Sequence, residues 1–207
     1  MSFIDFFWQN RAEVWQLTLE HLALVSASIF LAAALGVPLG IALTRRPAWR
    51  SAALGFANVL QTVPSLALFG FLIPLTGVTA RTAVLALTLY ALLPILRNTC
   101  VGIAGVDRNV IEAARAMGMT SRQMLWQVEL PLSLRVILAG VRVATVICVG
   151  VATIAAAIGA GGLGMYIFRG VSMVSHPVIL AGAIPAALLA ILADASLGWV
   201  ERRLAVR

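Results

Sequence analysis

An all-α polytopic membrane protein, with five transmembrane helices and two short cytoplasmic ones, is the fold class that three observations predict. Hydrophobic residues make up 61% of the 207, charged residues only 11%, and mean hydropathy is +1.00. A soluble domain of this length needs far more polar surface, whereas lipid lets the outside of a bundle be as apolar as its inside. Apolar stretches of about 20 residues, enough to cross about 30 Å of hydrocarbon, recur along the chain. The charge gathers between them, with fifteen arginines, no lysine and a net charge of +7.

Residues 1–20 hold Phe3, Phe6, Phe7, Trp8 and Trp15 among scattered charges. This pattern suits an amphipathic helix at the outer interface, with a frayed terminus as the plain alternative. No short apolar run ending in a cleavage motif is present, so the first span is expected to be the insertion signal. That span covers residues 22–43 and stops at Thr44-Arg45-Arg46-Pro47. The second, 52–75, is interrupted by Gln61-Thr62-Val63-Pro64-Ser65. The third, 82–96, is short and bracketed by Arg81 and Arg97; the fourth and fifth cover 136–158 and 178–197.

Five spans put the termini on opposite sides. With the N-terminus outside, Arg45, Arg46, Arg50, Arg97, Arg108, Arg115, Arg122, Arg135, Arg202, Arg203 and Arg207 are cytoplasmic. Only Arg11, Arg81 and Arg169 stay outside, and Arg142 lies within the fourth span. This positive-inside bias makes the C-terminus and residues 98–134 cytoplasmic, in one membrane domain over 1–207. It also explains the basic composition as topology, since the arginines separate spans and do not line one face as in a nucleic-acid binder.

The cytoplasmic segment 107–131 has helix punctuation. Asp107 can N-cap a helix, and Val106 and Ile111 are placed for a hydrophobic staple. Ile111, Ala113, Ala114 and Met117 make one small, mostly apolar face, and Gly118 ends the helix as a left-handed residue. Thr120 and Gln123 have capping-box spacing for a second helix, which Pro131 is expected to end. The resulting knob exposes Met117, Met119, Met124, Leu125 and Trp126. Either a soluble partner's groove covers them or the pair folds back on the membrane surface.

Polar residues inside spans point to function. Asn58, Gln61, Thr62 and Ser65 cluster around Pro64, which frees a carbonyl and kinks the helix. The stretch reads as pathway lining or a gate hinge, or else as a packing kink. Thr145, Thr153 and the run Gly159-Ala160-Gly161-Gly162-Leu163-Gly164 form a second cluster, either a short re-entrant gate or a plain outer turn. Arg142 can snorkel to the cytoplasmic interface, or pair with Asp194 at the same depth. Cys100 and Cys148 lack metal or disulfide spacing and suit packing. No cofactor or metal site is expected.

Catalysis is not legible. The histidines, His21 and His176, fall at outer span edges, and there is no Gly-x-Ser-x-Gly. There is also no Gly-x-x-x-x-Gly-Lys-[Ser/Thr] loop, so ATP chemistry would need another subunit. A channel or structural subunit is the rival class.

Glu112-Ala113-Ala114, Gly118 and Glu129-Leu130-Pro131 resemble the EAA loop of the permease subunits of bacterial ABC importers, spacing included. The stretches LTLEHLALVSASIFLAAALGVPLG, QTVPSLALFGF, YALLPILRN and AAAIGAGGLG are similar to the glycine betaine/carnitine/choline branch. Methionine and other type I permeases share the loop and fewer of the stretches. The resemblance implies two coupling helices that sit in a groove of a separate ABC ATPase subunit. Their contact core would be Glu112, Ala113, Ala114 and Gly118, with Met117, Leu130 and Pro131 beside it. Asn58, Gln61, Thr62, Pro64, Ser65, Thr145, Thr153, Gly159, Gly161, Gly162 and Gly164 would line the path or gate. It further implies alternating access, inner-membrane location, and a periplasmic or lipid-anchored substrate-binding protein that delivers a small-molecule substrate. Five helices are too few to surround an organic cation, so a second permease subunit, identical or paralogous, is expected. Phe69, Phe71, Tyr90, Tyr166 and Phe168 offer no evident cage for a quaternary ammonium.

Overall fold

The computed structural model describes residues 3–204. Met1 and Ser2 of the predicted interfacial segment, and Arg207 of the cytoplasmic arginines, lie outside the described residues. Helix α1, Phe3–Gln9, is followed by α2, Arg11–Thr44, whose 34 residues run without a break. At 1.5 Å per residue α2 is about 50 Å long, more than a hydrocarbon core needs. The 1–20 segment therefore divides at Asn10, and its second half belongs to the helix that carries residues 22–43.

Helix α3, Pro47–Thr62, starts with proline in its first turn, where the missing N–H costs nothing. Helix α4, Ser65–Thr76, follows at a 102° bend. Val63 is extended, with φ −67° and ψ 125°, as a residue before proline is pushed to be. The predicted span 52–75 is thus a sharply broken pair. Helix α5, Ala80–Ala104, reaches further toward the knob than the predicted 82–96.

Two short helices, α6 (Arg108–Ala116) and α7 (Ser121–Met124), make the knob. Pro131 does not end α7, contrary to the expectation from sequence. The chain continues through a π turn, Leu125–Glu129, into α8, Leu130–Ala155. The Leu130 N–H reaches back five residues to the Leu125 carbonyl, so Pro131 enters at a change of hydrogen-bond register and in the first turn of α8. A 3₁₀ turn at Ala156–Ile158 and a glycine-rich turn lead to α9, Gly164–Ser172, and then to α10, His176–Leu204. No strand occurs among the described residues.

Four of these stretches are individually long and apolar enough to cross a membrane: α2, α5, Ser121–Ile158 and α10. The bent α3–α4 pair would be a fifth. Helix α5 is the centre. Ala83, Ala86, Leu87, Ala91 and Ile95 are fully buried there against α2 and α8. Small residues permit the approach: a Cβ on Gly140 of α8 would sit 2.5 Å from the Asn98 side chain of α5. Both cysteines are buried and free, and their thiols donate to the carbonyls of Leu87 (from Cys148, 3.4 Å) and Gly40 (from Cys100, 3.5 Å).

Candidate functional site

The knob is built by local hydrogen bonds. Asp107 accepts the Asn109 N–H at 2.8 Å as an N-cap. Gly118 sits at φ +79°, which turns the chain so that the Met119 N–H meets the Ala114 carbonyl at 3.2 Å. Thr120 and Gln123 make the predicted capping box in both directions, at 2.9 and 3.3 Å. Glu112, Ala113, Met117 and Gly118 are exposed together, with Met117 at 75%. Ala114 is buried, and Leu130 and Pro131 are half-buried at the junction with α8. Met124, expected on the surface, is buried and contributes to the knob's interior. Trp126 is exposed as expected. The Glu112–Arg108 pair at 3.1 Å is exposed on both sides and adds little to stability.

Two ion pairs brace the same end of the bundle. Arg45, at the end of α2, pairs with the buried Glu129 of the π turn. Sequence reading had Arg45 as a topology marker only, and nothing in the spacing links it to Glu129. Arg142 and Asp194 form a bidentate pair, Nε to Oδ1 and Nη2 to Oδ2, both at 2.6 Å. Pairing, which the sequence left open beside snorkelling, is the arrangement found. Glu201 joins them at 3.5 Å and is shared with Arg135 at 3.6 Å.

The residues around Pro64 sit at the bend between α3 and α4. Asn58, Thr62 and Pro64 are exposed, while Gln61 and Ser65 are half-buried. The Gln61 amide donates to the Tyr90 carbonyl at 3.0 Å, and the Tyr90 hydroxyl donates to the Val63 carbonyl. Thr62 bonds back to its own helix at the Val59 carbonyl.

The second cluster divides. Thr145 lines a cavity of about 320 Å³ with His21, Ser26, Ile29 and residues of α10, and none of the Pro64 group reaches that cavity. Thr153 and Gly164 do meet: a Cβ on Gly164 would fall 1.9 Å from the Thr153 carbonyl oxygen. Gly159, Gly161 and Gly162 all have positive φ, so the run is a tight left-handed turn.

Two carboxylates that sequence reading passed over tie α2 to this turn and to α9. Glu20 accepts the Gly162 N–H at 3.2 Å. Glu13 accepts the Tyr166 hydroxyl at 2.7 Å and an Arg169 N–H at 3.1 Å. Seven residues apart, they share one face of α2, and that spacing was the available signal. Burial, and then the Glu13 carboxylate as acceptor, push the Tyr166 phenol above its ordinary range, so it stays a donor. His21 is fully buried and donates from Nε2 to the Val149 carbonyl at 3.1 Å. Its Nδ1 finds no partner among the described residues.

Comparison with known proteins gives this arrangement its family. Residues 36–206 match the family described as binding-protein-dependent transport system inner membrane component. The chain is 46% identical over 203 residues to the carnitine transport permease protein OpuCB of Listeria monocytogenes, covering 98% of this chain and 93% of the relative. It is 43% identical over 200 residues to the glycine betaine/carnitine/choline transport system permease protein OpuCB of Bacillus subtilis, covering 97% and 92%. Among solved structures, a chain of the inward-facing MetNI methionine ABC transporter shares 25% identity at a TM-score of 0.83, with 100% of both chains covered. The chain therefore belongs to the binding-protein-dependent transport system inner membrane components, the multi-pass permeases of ABC importers.

Proposed function

We propose that this chain is the membrane-spanning subunit of an ATP-driven importer for a quaternary-amine osmolyte such as glycine betaine, carnitine or choline. The observation that carries the reading is identity above 40%, over nearly the whole chain, to permeases named for those substrates. A methionine permease is the alternative, and the methionine transporter resembles this chain at only 25% identity. The work of transport is powered by a separate ATPase, which docks on residues 107–131. Support for that docking site is the exposed group of Glu112, Ala113, Met117 and Gly118, preorganised by its caps.

In this reading the bent α3–α4 pair counts as the second of five spans. The N-terminus is outside, the C-terminus and knob are cytoplasmic, and α6 and α7 are the coupling helices. ATP binding brings two knobs together and turns the path between two permease subunits outward. Asn58, Gln61, Thr62, Pro64 and Ser65 line that path from the open face of each subunit. Thr145, Thr153 and the turn Gly159–Gly161–Gly162–Gly164 form its outer gate. Recognition of the quaternary ammonium rests on the binding protein: Phe69 and Tyr166 are fully buried, and Phe71 and Phe168 lie exposed on separate helices.

The test is purification from native membranes, comparing wild type with Gly118→Trp. An ATPase should accompany wild type and be lost from the variant, whose bulky side chain strains the left-handed turn and wedges the docking surface apart. Labelled glycine betaine, choline and carnitine should be taken up, and methionine should not. Absence of any ATPase from wild type would overturn the importer reading in favour of a channel or structural subunit. Uptake of methionine alone would reassign the substrate.

A further inference from the structure

We propose that Tyr90 and Gln61 form a two-bond lock that holds the broken α3–α4 span at its bend, and that this lock opens when the transporter changes its access state. The second half of this statement rests on the importer reading; the first does not.

The argument starts from two prolines. Pro94 lies inside α5 and has no N–H, so the carbonyl four residues earlier, that of Tyr90, loses its donor within the helix. A buried carbonyl without a donor is costly. The partner that reaches it comes from another element: the side-chain amide of Gln61, at 3.0 Å. Pro64 creates the second break, and Val63 beside it is extended at the corner between α3 and α4. The Val63 carbonyl is met by the hydroxyl of the same Tyr90. One buried residue of α5 thus takes a bond from α3 with its main chain and gives a bond to the corner with its side chain.

The geometry suits a switch better than a permanent weld. Both bonds come from neutral groups, so neither leaves a stranded charge when it breaks. They lie at the corner itself, where a small displacement changes the 102° angle most. Much of the remaining surface of α3 and α4 is exposed, including Phe56, Val59, Leu66 and Phe71. Leu68 and Phe69 of α4 and Ala57 of α3 stay buried, so release of the corner would let the pair pivot about these anchors and not detach from α5. Gln61 belongs to the proposed path, whereas Tyr90 would act through it as a positioning residue.

The experiment uses the assembled complex in lipid, with spin labels at Trp49 and Leu75, exposed positions on α3 and α4. Tyr90→Phe keeps the ring and removes only the hydroxyl. Pro94→Ala trims a buried ring, but it also returns an N–H to the Tyr90 carbonyl and so competes with Gln61. Each should raise the fraction of the wider-angle state about fivefold, as expected for one net hydrogen bond. Pro94→Ala and Gln61→Leu act on the same bond, so their effects should not add. The unstimulated ATPase rate should rise in step with the wider-angle fraction. An unchanged label distribution in Tyr90→Phe, or additive effects of Pro94→Ala and Gln61→Leu, would overturn the lock. If wild type takes up no osmolyte, the functional reading fails while the label distances still decide the lock. Should Pro94→Ala fail to assemble, Tyr90→Phe alone carries the test.

Discussion

Gly118 in the knob and the glycines at the far end of α8 from the knob both carry positive φ, yet they hold the chain for opposite reasons. A Cβ on Gly118 would meet nothing within 4 Å, and the turn there is set by its own neighbours, Ala114, Arg115 and Thr120. At the turn between α8 and α9 a Cβ on Gly161 would strike the Glu20 carboxylate at 2.6 Å, and one on Gly162 would lie 3.1 Å from His21. The knob is a local structure with an exposed surface, which suits the docking role proposed for it. The turn between α8 and α9 is a piece of tertiary packing, clamped to α2 by Glu20, with Glu13 holding α9 beside it. On that proposal the knob turn is sensitive in its function and tolerant in its stability, and the packed turn is the reverse.

Three substitutions can break or sharpen that contrast. The largest effect belongs to Gly164→Ala. Its Cβ has no room beside the Thr153 carbonyl, backbone atoms cannot step aside cheaply, and a loss of at least about 3 kcal/mol is expected. Thermal unfolding in detergent should show it, and a melting temperature within a degree of wild type would refute the packed-turn account. Glu20→Ala comes next. It strips the Gly162 N–H of its acceptor, for about 2 kcal/mol, and the loss should be read in the same melting experiment. Gly118→Ala is the smallest for stability: about 1 kcal/mol of left-handed strain confined to the knob, with the bundle's melting temperature unchanged. Its effect should appear instead as an ATPase affinity about fivefold weaker, measured by titration. If Gly118→Ala lowers the melting temperature as much as Glu20→Ala does, the two turns do not differ in the way proposed.

The knob was legible because its signals are short-range. Asp107, Gly118 and the Thr120–Gln123 box each act within four residues, and each is found as read. Met124 was misplaced for the complementary reason: whether a methionine on a four-residue helix points in or out depends on what packs behind it. Pro131 was read as a stop because a proline ordinarily costs a helix one bond, and the π turn that absorbs it leaves no pattern in the residues. The residues proposed to line the path were legible as polar groups within apolar stretches but not as a group. Gln61 and Thr145 lie in the same apolar chain, and only the packing separates one at the open corner from the other beside the α2–α8–α10 cavity.

By itself the sequence determined the class of the molecule, the apolar stretches, the break at Pro64 and the caps of the knob. Those properties follow from composition, or from hydrogen bonds between residues a few positions apart. Tertiary structure alone decided that Arg142 meets Asp194, that Arg45 meets Glu129, and that Glu20 holds the α8–α9 turn while Glu13 holds α9. It also decided that the carbonyl freed by Pro94 is taken by Gln61 from another helix. In an apolar interior each stranded charge or carbonyl must find a partner, but the need is written locally and the partner is supplied by the packing of helices distant in sequence.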